Sequence, residues 1–209
     1  MKTYPKFRQT YTLVTACACL TPAGGTHAQV FDNGDPSGGF GTNVLSERDA
    51  FNQVGDDFDL ASNASIDSVR WWGVGDEQQF EMRIFSNAGT PNNAPLHNID
   101  LGTVAGTPTG FGGGGSDVLE YNADFAAINL APGDYVISIV EATAGDNWFW
   151  SASCEDGCEG ESWRRDDDAD SWESGNWQFA FVLDGVPEPG TGALAAVGAL
   201  VLIRRRRSA

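Results

Sequence analysis

Lysine is missing from the whole stretch between Gln29 and Gly185, and histidine is reduced there to His97. That stretch carries 28 acidic residues against five arginines (Arg48, Arg70, Arg83, Arg164 and Arg165), a net formal charge of −23. Such a surface repels phosphate backbones and anionic lipid, so nucleic-acid binding is excluded as a role for it. The scarcity of histidine and the absence of HExxH and G-x-S-x-G leave zinc-hydrolase and serine-hydrolase chemistry without a foundation. His97 sits in Pro95-Leu96-His97-Asn98 and reads as a surface residue at a loop or strand edge, not as a general base. Cysteine is sparse too, with four in 209 residues.

What is present lies first at the two ends. Lys2, Lys6 and Arg8 form a basic start, Tyr11 to Leu20 a modest apolar segment, and Thr26-His27-Ala28 a small-x-small cleavage site. Residues 1–28 are therefore expected to be a signal peptide, removed by signal peptidase after Ala28. The competing reading takes Val14-Thr15-Ala16-Cys17 as a degenerate lipobox with Cys17 lipidated.

At the other end, Pro187 and Pro189 fix φ and disfavour helix ahead of them, so Val186-Pro187-Glu188-Pro189 should be an extended, accessible strip. Gly192 to Ile203 is uncharged and built from small and aliphatic residues. As a helix it would be about 18 Å long, short of a hydrocarbon core of about 30 Å. Arg204, Arg205, Arg206 and Arg207 follow and would hold the C-terminus at the cytoplasmic face. This order of motif, apolar run and arginines resembles the PEP-CTERM sorting signal. The resemblance covers only the tail, residues 186–209, and implies an exosortase that cuts near the PEP motif after transient retention in the membrane.

Between the ends, residues 29–185 suit one domain with a hydrophobic core. Strand signals dominate. Phe80, Met82 and Ile84 alternate with Glu81 and Arg83; Tyr135, Ile137 and Ile139 alternate around Ser138; Trp177, Phe179, Phe181 and Leu183 continue the pattern. Asn33-Gly34, Pro91-Asn92-Asn93, Pro132-Gly133 and Asp156-Gly157 punctuate the runs. Strands are predicted near 30–33, 54–60, 65–72, 79–85, 98–104, 117–124, 134–141, 147–153 and 177–184. The expected fold is all-β, a β-sandwich of jelly-roll type, followed by a short C-terminal hydrophobic helix. VFDNG, VGDDFDL, VRWWG, FEMRIFSNAGTP, LAPGDYVISIV and NWFWSAS, in that order, resemble the uncharacterised β-sandwich ectodomains that precede PEP-CTERM tails. Phe111 to Ser116, FGGGGS, lacks the Lys and Ser/Thr of a phosphate loop and reads as a flexible connection.

Cys154 and Cys158 bracket the turn-forming Glu155-Asp156-Gly157, and in an exported chain a small disulfide is expected between them. Zinc is the competing use of these thiols, but a tetrahedral site needs further ligands. Seven tryptophans include the adjacent Trp71 and Trp72, and Trp148-Phe149-Trp150. Adjacent strand positions point to opposite faces, so part of this aromatic surface is expected to face outward. Trp163 and Trp172, in the polar stretch SWRRDDDADSWES, are the candidates for exposed contacts with polysaccharide. Asp166, Asp168 and Asp170 alternate as in the opening of an EF-hand, but Ser171 and Trp177 stand where its glycine and glutamate belong. They are candidates for a looser calcium site, the competing reading being neutralisation by Arg164 and Arg165. No other cofactor is expected.

The sequence thus points to an exported cell-surface or extracellular-matrix protein without catalytic activity. A carbohydrate-binding module using exposed tryptophans is the first alternative. A glycan-acting hydrolase with paired carboxylates is the second, although so many acids make any chosen pair arbitrary.

Overall fold

The computed structural model describes residues 28–36, 43–48, 52–75, 78–113, 116–143, 147–154 and 160–185. Of the expected signal segment only Ala28 is among them, as the first residue of a strand; residues 1–27, the sorting motif, the C-terminal hydrophobic segment and the arginine cluster lie outside them. Among the described residues no helix is long and apolar enough to cross a membrane. In chain order the strands are β1 (Ala28–Asp32), β2 (Asn43–Leu45), β3 (Gln53–Leu60), β4 (Ala64–Val74), β5 (Gln78–Ser86), β6 (His97–Val104) and β7 (Thr107–Gly113). They continue with β8 (Ser116–Leu130), β9 (Gly133–Glu141), β10 (Phe149–Cys154), β11 (Ser162–Arg165), β12 (Glu173–Ser174), β13 (Gln178–Phe179) and β14 (Phe181–Gly185).

Two antiparallel sheets result. One runs β12-β11-β3-β9-β5-β6. The other is organised on β4, which pairs with β8 from Ala64 to Gly73 and with β14 and then β10 along its other edge. β1 closes one end of this sheet against β14, and β7 the other against β8.

Period-two patterning explains the core between the sheets. Val54, Phe58 and Leu60 of β3, Phe80, Met82 and Ile84 of β5, and Tyr135, Ile137 and Ile139 of β9 meet Ile66, Val69, Trp71, Tyr121, Trp150, Phe181 and Leu183 from the other sheet. In β4 the inward set changes from even to odd numbers because its pairing with β8 is irregular between Ile66 and Ser68. The core is unusually aromatic. Trp71 stacks on Tyr121 at 5.5 Å, Phe80 meets Trp71 and Trp148 edge-on at 5.2 and 5.1 Å, and Trp150 stacks on Phe179 at 4.9 Å. Each such pair adds about 0.5–1.5 kcal/mol beyond the area it buries. Gly73 makes room for one of these rings, since a Cβ there would stand 2.5 Å from the Trp148 indole.

Three expectations are corrected. Trp71 and Trp72 do point to opposite faces, yet both are buried: Trp71 in the main core, Trp72 beside Ala180 and Val182 with the Arg70 guanidinium 5.5 Å from its ring. Phe111 to Gly113 of the glycine-rich run lie in β7 and Ser116 opens β8, with Gly112 opposite Asp117 and Gly113 opposite Ser116; Gly114 and Gly115 lie outside the described residues. The single strand expected near 177–184 is two, β13 on β10 and β14 on β4, separated by Ala180. β2, β7, β11 and β12 were not legible from the alternation.

Candidate functional site

The outer face of the six-stranded sheet carries the densest polar cluster. Gln53, Arg83 and Arg165 project there, from β3, β5 and β11, and all three are buried because the segment after β11 folds back over them. Register brings them together: Arg165 lies directly opposite Gln53, and Arg83 directly opposite Asn98 of β6. The Gln53 carbonyl oxygen accepts from Arg83 Nη1 at 3.1 Å and from Arg165 Nε at 3.0 Å. Asp168 then answers both charges with one oxygen, Oδ1 accepting from Arg83 Nη1 at 2.5 Å and from Arg165 Nη2 at 2.7 Å. Arg83 Nε donates to Glu81, which also meets Arg48 at 3.4 Å. Arg165 Nη1 donates to the backbone carbonyls of Asn93 and Asp168 at 3.1 and 3.4 Å.

Burial is uneven within this cluster. Arg83 and Arg165 are 4% and 2% exposed. The Asp168 side chain is 60% exposed. Burial lowers the Arg165 pKa, with nearby Arg83 adding to the effect and Asp168 opposing it. For Asp168, partial burial pushes the carboxyl up, but Arg83, Gln53 and Arg165 outweigh it and hold the group below its ordinary value. A cleft of about 390 Å3 opens beside the cluster, lined by Arg83, Asn93, Pro95, Asn98, Arg165 and Asp168.

Trp163 and Trp172 belong to this face, and their expected exposure is overturned. Each is 5% exposed and packs with Phe85 and Val136 in a second small apolar cluster. Trp172 meets Phe85 edge-on at 5.2 Å, donates from Nε1 to the Asn92 carbonyl at 3.3 Å and lies 4.4 Å beneath the Arg165 guanidinium. Their polar neighbourhood in the sequence is a covering strip, and the tryptophans are its apolar underside. They offer no ring face to a ligand. Among the described residues the exposed large hydrophobic side chain is Leu96.

The three aspartates of the calcium reading separate. Asp168 turns to the arginines, whereas Asp166 and Asp170 line a second cleft of about 280 Å3 with Arg164, Arg165, Ser171 and Glu173. Among the described residues no three His, Cys, Asp or Glu side chains are grouped to hold a metal ion. Arg164 is 4.0 Å from Glu173. His97 opens β6 at the strand edge, half-buried. Cys154 ends β10 and is disulfide-bonded; its expected partner Cys158 lies outside the described residues.

Sequence reading missed the buried carboxylate of Asp56. Asp56 shares the inward face of β3 with Val54 and Phe58 and is fully buried. Its oxygens accept from Asn33 Nδ2 at 2.7 Å, the Asp57 amide at 3.0 Å and the Phe179 amide, tying β3 to the far sheet. Burial pushes its carboxyl well above the ordinary range; neighbouring Asp57 adds to this, and the three N–H donors oppose it. A signal was available, since Asp56 has the parity of the apolar residues in VGDDFDL.

The ends of the folded body meet at one pole. Ala28, at the start of β1, is paired with Gly185, at the end of β14. Gly185 is also held tightly, a Cβ there falling 1.9 Å from the Ser65 carbonyl oxygen.

Among curated proteins none matches the sequence. Among solved structures, the cysteine protease and lectin-like domains of Cwp84, a surface layer associated protein of Clostridium difficile, align with a TM-score of 0.45 and 14% identity. The alignment covers 69% of this chain and 33% of that one, so this chain spans about a third of that protein's length. Residues 185–207 match the PEP-CTERM protein-sorting motif, which marks an exported, surface-directed chain with exosortase as its processing partner.

Proposed function

We propose that this chain is a non-catalytic component of the cell surface or extracellular polymeric matrix, delivered by its two ends and displayed as a β-sandwich. The observation that carries this reading is the position of the sorting motif: it begins at Gly185, the residue where β14 ends. Cutting near Pro187-Glu188-Pro189 therefore breaks none of the described strands, and the folded body leaves the membrane whole. The N-terminal segment exports the chain and signal peptidase removes it after Ala28. The apolar segment and Arg204 to Arg207 pause it in the inner membrane until exosortase acts. The disulfide at Cys154, which we assign to pairing with Cys158, suits an oxidising destination.

Strand order supports jelly-roll connectivity as the architecture displayed. Leaving aside β2, β7 and β10 to β13, β1-β14-β4-β8 faces β3-β9-β5-β6, the chain passing repeatedly from one sheet to the other as two interleaved Greek keys require.

The test is processing in the native host. Glu188→Ala, or deletion of Arg204 to Arg207, should leave full-length protein in the membrane fraction, whereas the parent chain should be recovered from the surface or medium with an intact mass starting near Gln29 and ending near the PEP motif. Unchanged release of both variants overturns the proposal.

A further inference from the structure

We infer that the cleft beside Arg83 and Arg165 is a carboxylate-binding site that Asp168 occupies from within, and that the external ligand it fits is a hexuronic acid residue. This stands on the folded body alone and does not depend on how the tail is processed.

Two of the five arginines between Gln29 and Gly185 are buried side by side here, in a stretch of net charge −23. Burying guanidinium groups together is costly unless anions answer them closely. Here the answer that both share is a single oxygen of one side chain, and that side chain is mostly in water. Both arginine contacts fall on Asp168 Oδ1, so Asp168 grips neither arginine with both oxygens. Arg83, although 4% exposed, lines the cleft, and its Nη2 has no acceptor among the described residues. A planar carboxylate in the cleft could take the Nη1–Nη2 fork of Arg83 with two oxygens, the stronger arrangement, once Asp168 swings into solvent.

The remainder of the cleft suits the ring that carries such a group. Asn93 and Asn98 are exposed amides at its rim, able to donate to and accept from hydroxyls, and Ala94 and Pro95 provide an apolar wall. Its volume of about 390 Å3 is in the range of small-ligand sites. The intramolecular occupant is itself a carboxylate, which favours a carboxylated sugar over a neutral one. Asp168 also sets the affinity, because a tethered competitor acts at an effective concentration on the order of millimolar.

Calorimetric titration of the full chain in detergent micelles with galacturonate, and with galactose as the neutral twin, tests this. Galacturonate should bind the parent weakly and Asp168→Asn at least about tenfold more tightly. Asn98→Asp, an exposed rim change opposite Arg83, should weaken galacturonate binding, and galactose should bind none of the three proteins. The inference fails if folded Asp168→Asn binds galacturonate no better than the parent, if none of the proteins binds it, or if galactose binds equally well. Should Asp168→Asn lose its cooperative melt, the Asn98→Asp comparison decides: unchanged galacturonate affinity there overturns the site.

Discussion

Ala28 lies directly across the sheet from Gly185, so the first residue of β1 and the last of β14 form one cross-strand pair. Both expected processing positions therefore sit at the same pole of the sandwich, and both cuts trim chain that leaves the body from one place. Removing residues 186–209 should leave the thermal midpoint unchanged. Removing the chain from Val182 onward deletes the pairs to Arg70, Val69 and Ser68 and should abolish the cooperative transition. Calorimetry on the two truncations measures the contrast.

Gly185 is confined by backbone. A methyl group there would stand 1.9 Å from the Ser65 carbonyl oxygen, which cannot rotate away as a side chain would. Gly185→Ala should cost about 1–3 kcal/mol, the usual range for overpacking. Denaturant midpoints report it, and a midpoint equal to the parent's would mean that β4 yields at Ser65.

The two perturbed aspartates shape the pH profile in opposite directions. Asp56 has a folded-state pKa above its unfolded value, so between the two the folded chain holds a proton that the unfolded chain has lost. Its contribution to stability is complete below the ordinary carboxylate value and declines as pH rises. Asp168 has a depressed folded-state pKa; its contribution is present above the ordinary value and is lost as pH falls through the folded one. Denaturation from about pH 3 to about pH 8 should show Asp168→Asn flattening the loss of stability on the acid side and Asp56→Asn flattening the decline that sets in above about pH 4.

Trp172 is a structural residue. Truncating it removes the ring beneath Arg165 and the edge contact with Phe85, so Trp172→Ala should destabilise the fold by about 3–5 kcal/mol. Trp163→Ala should do likewise. An exposed stacking platform behaves differently: its loss changes sugar affinity and leaves the melt alone. Thermal denaturation separates these outcomes.

The strands most readable from alternation are those whose buried face is made of strong apolar residues. Phe80, Met82 and Ile84, or Tyr135, Ile137 and Ile139, declare their face without knowledge of a partner. β11 gave no such sign, because Trp163, Arg164 and Arg165 look like a solvated segment until Gln53 and Gly55 are placed opposite. Likewise Glu81 and Arg83 read as the wet face of β5. The segment carrying Asp168 and Trp172, more than eighty residues later, covers Arg83.

By itself the sequence determined the class of the fold, the acidic character of the body and the sorting tail, since each is written in local order: period-two alternation, counted charge, and a motif followed by an apolar run and arginines. The tertiary structure alone decided that Trp163 and Trp172 are buried and that Arg83 and Arg165 meet at Asp168. Those outcomes depend on which distant segments fold back onto an open sheet face, and no local periodicity encodes the partner that supplies the cover.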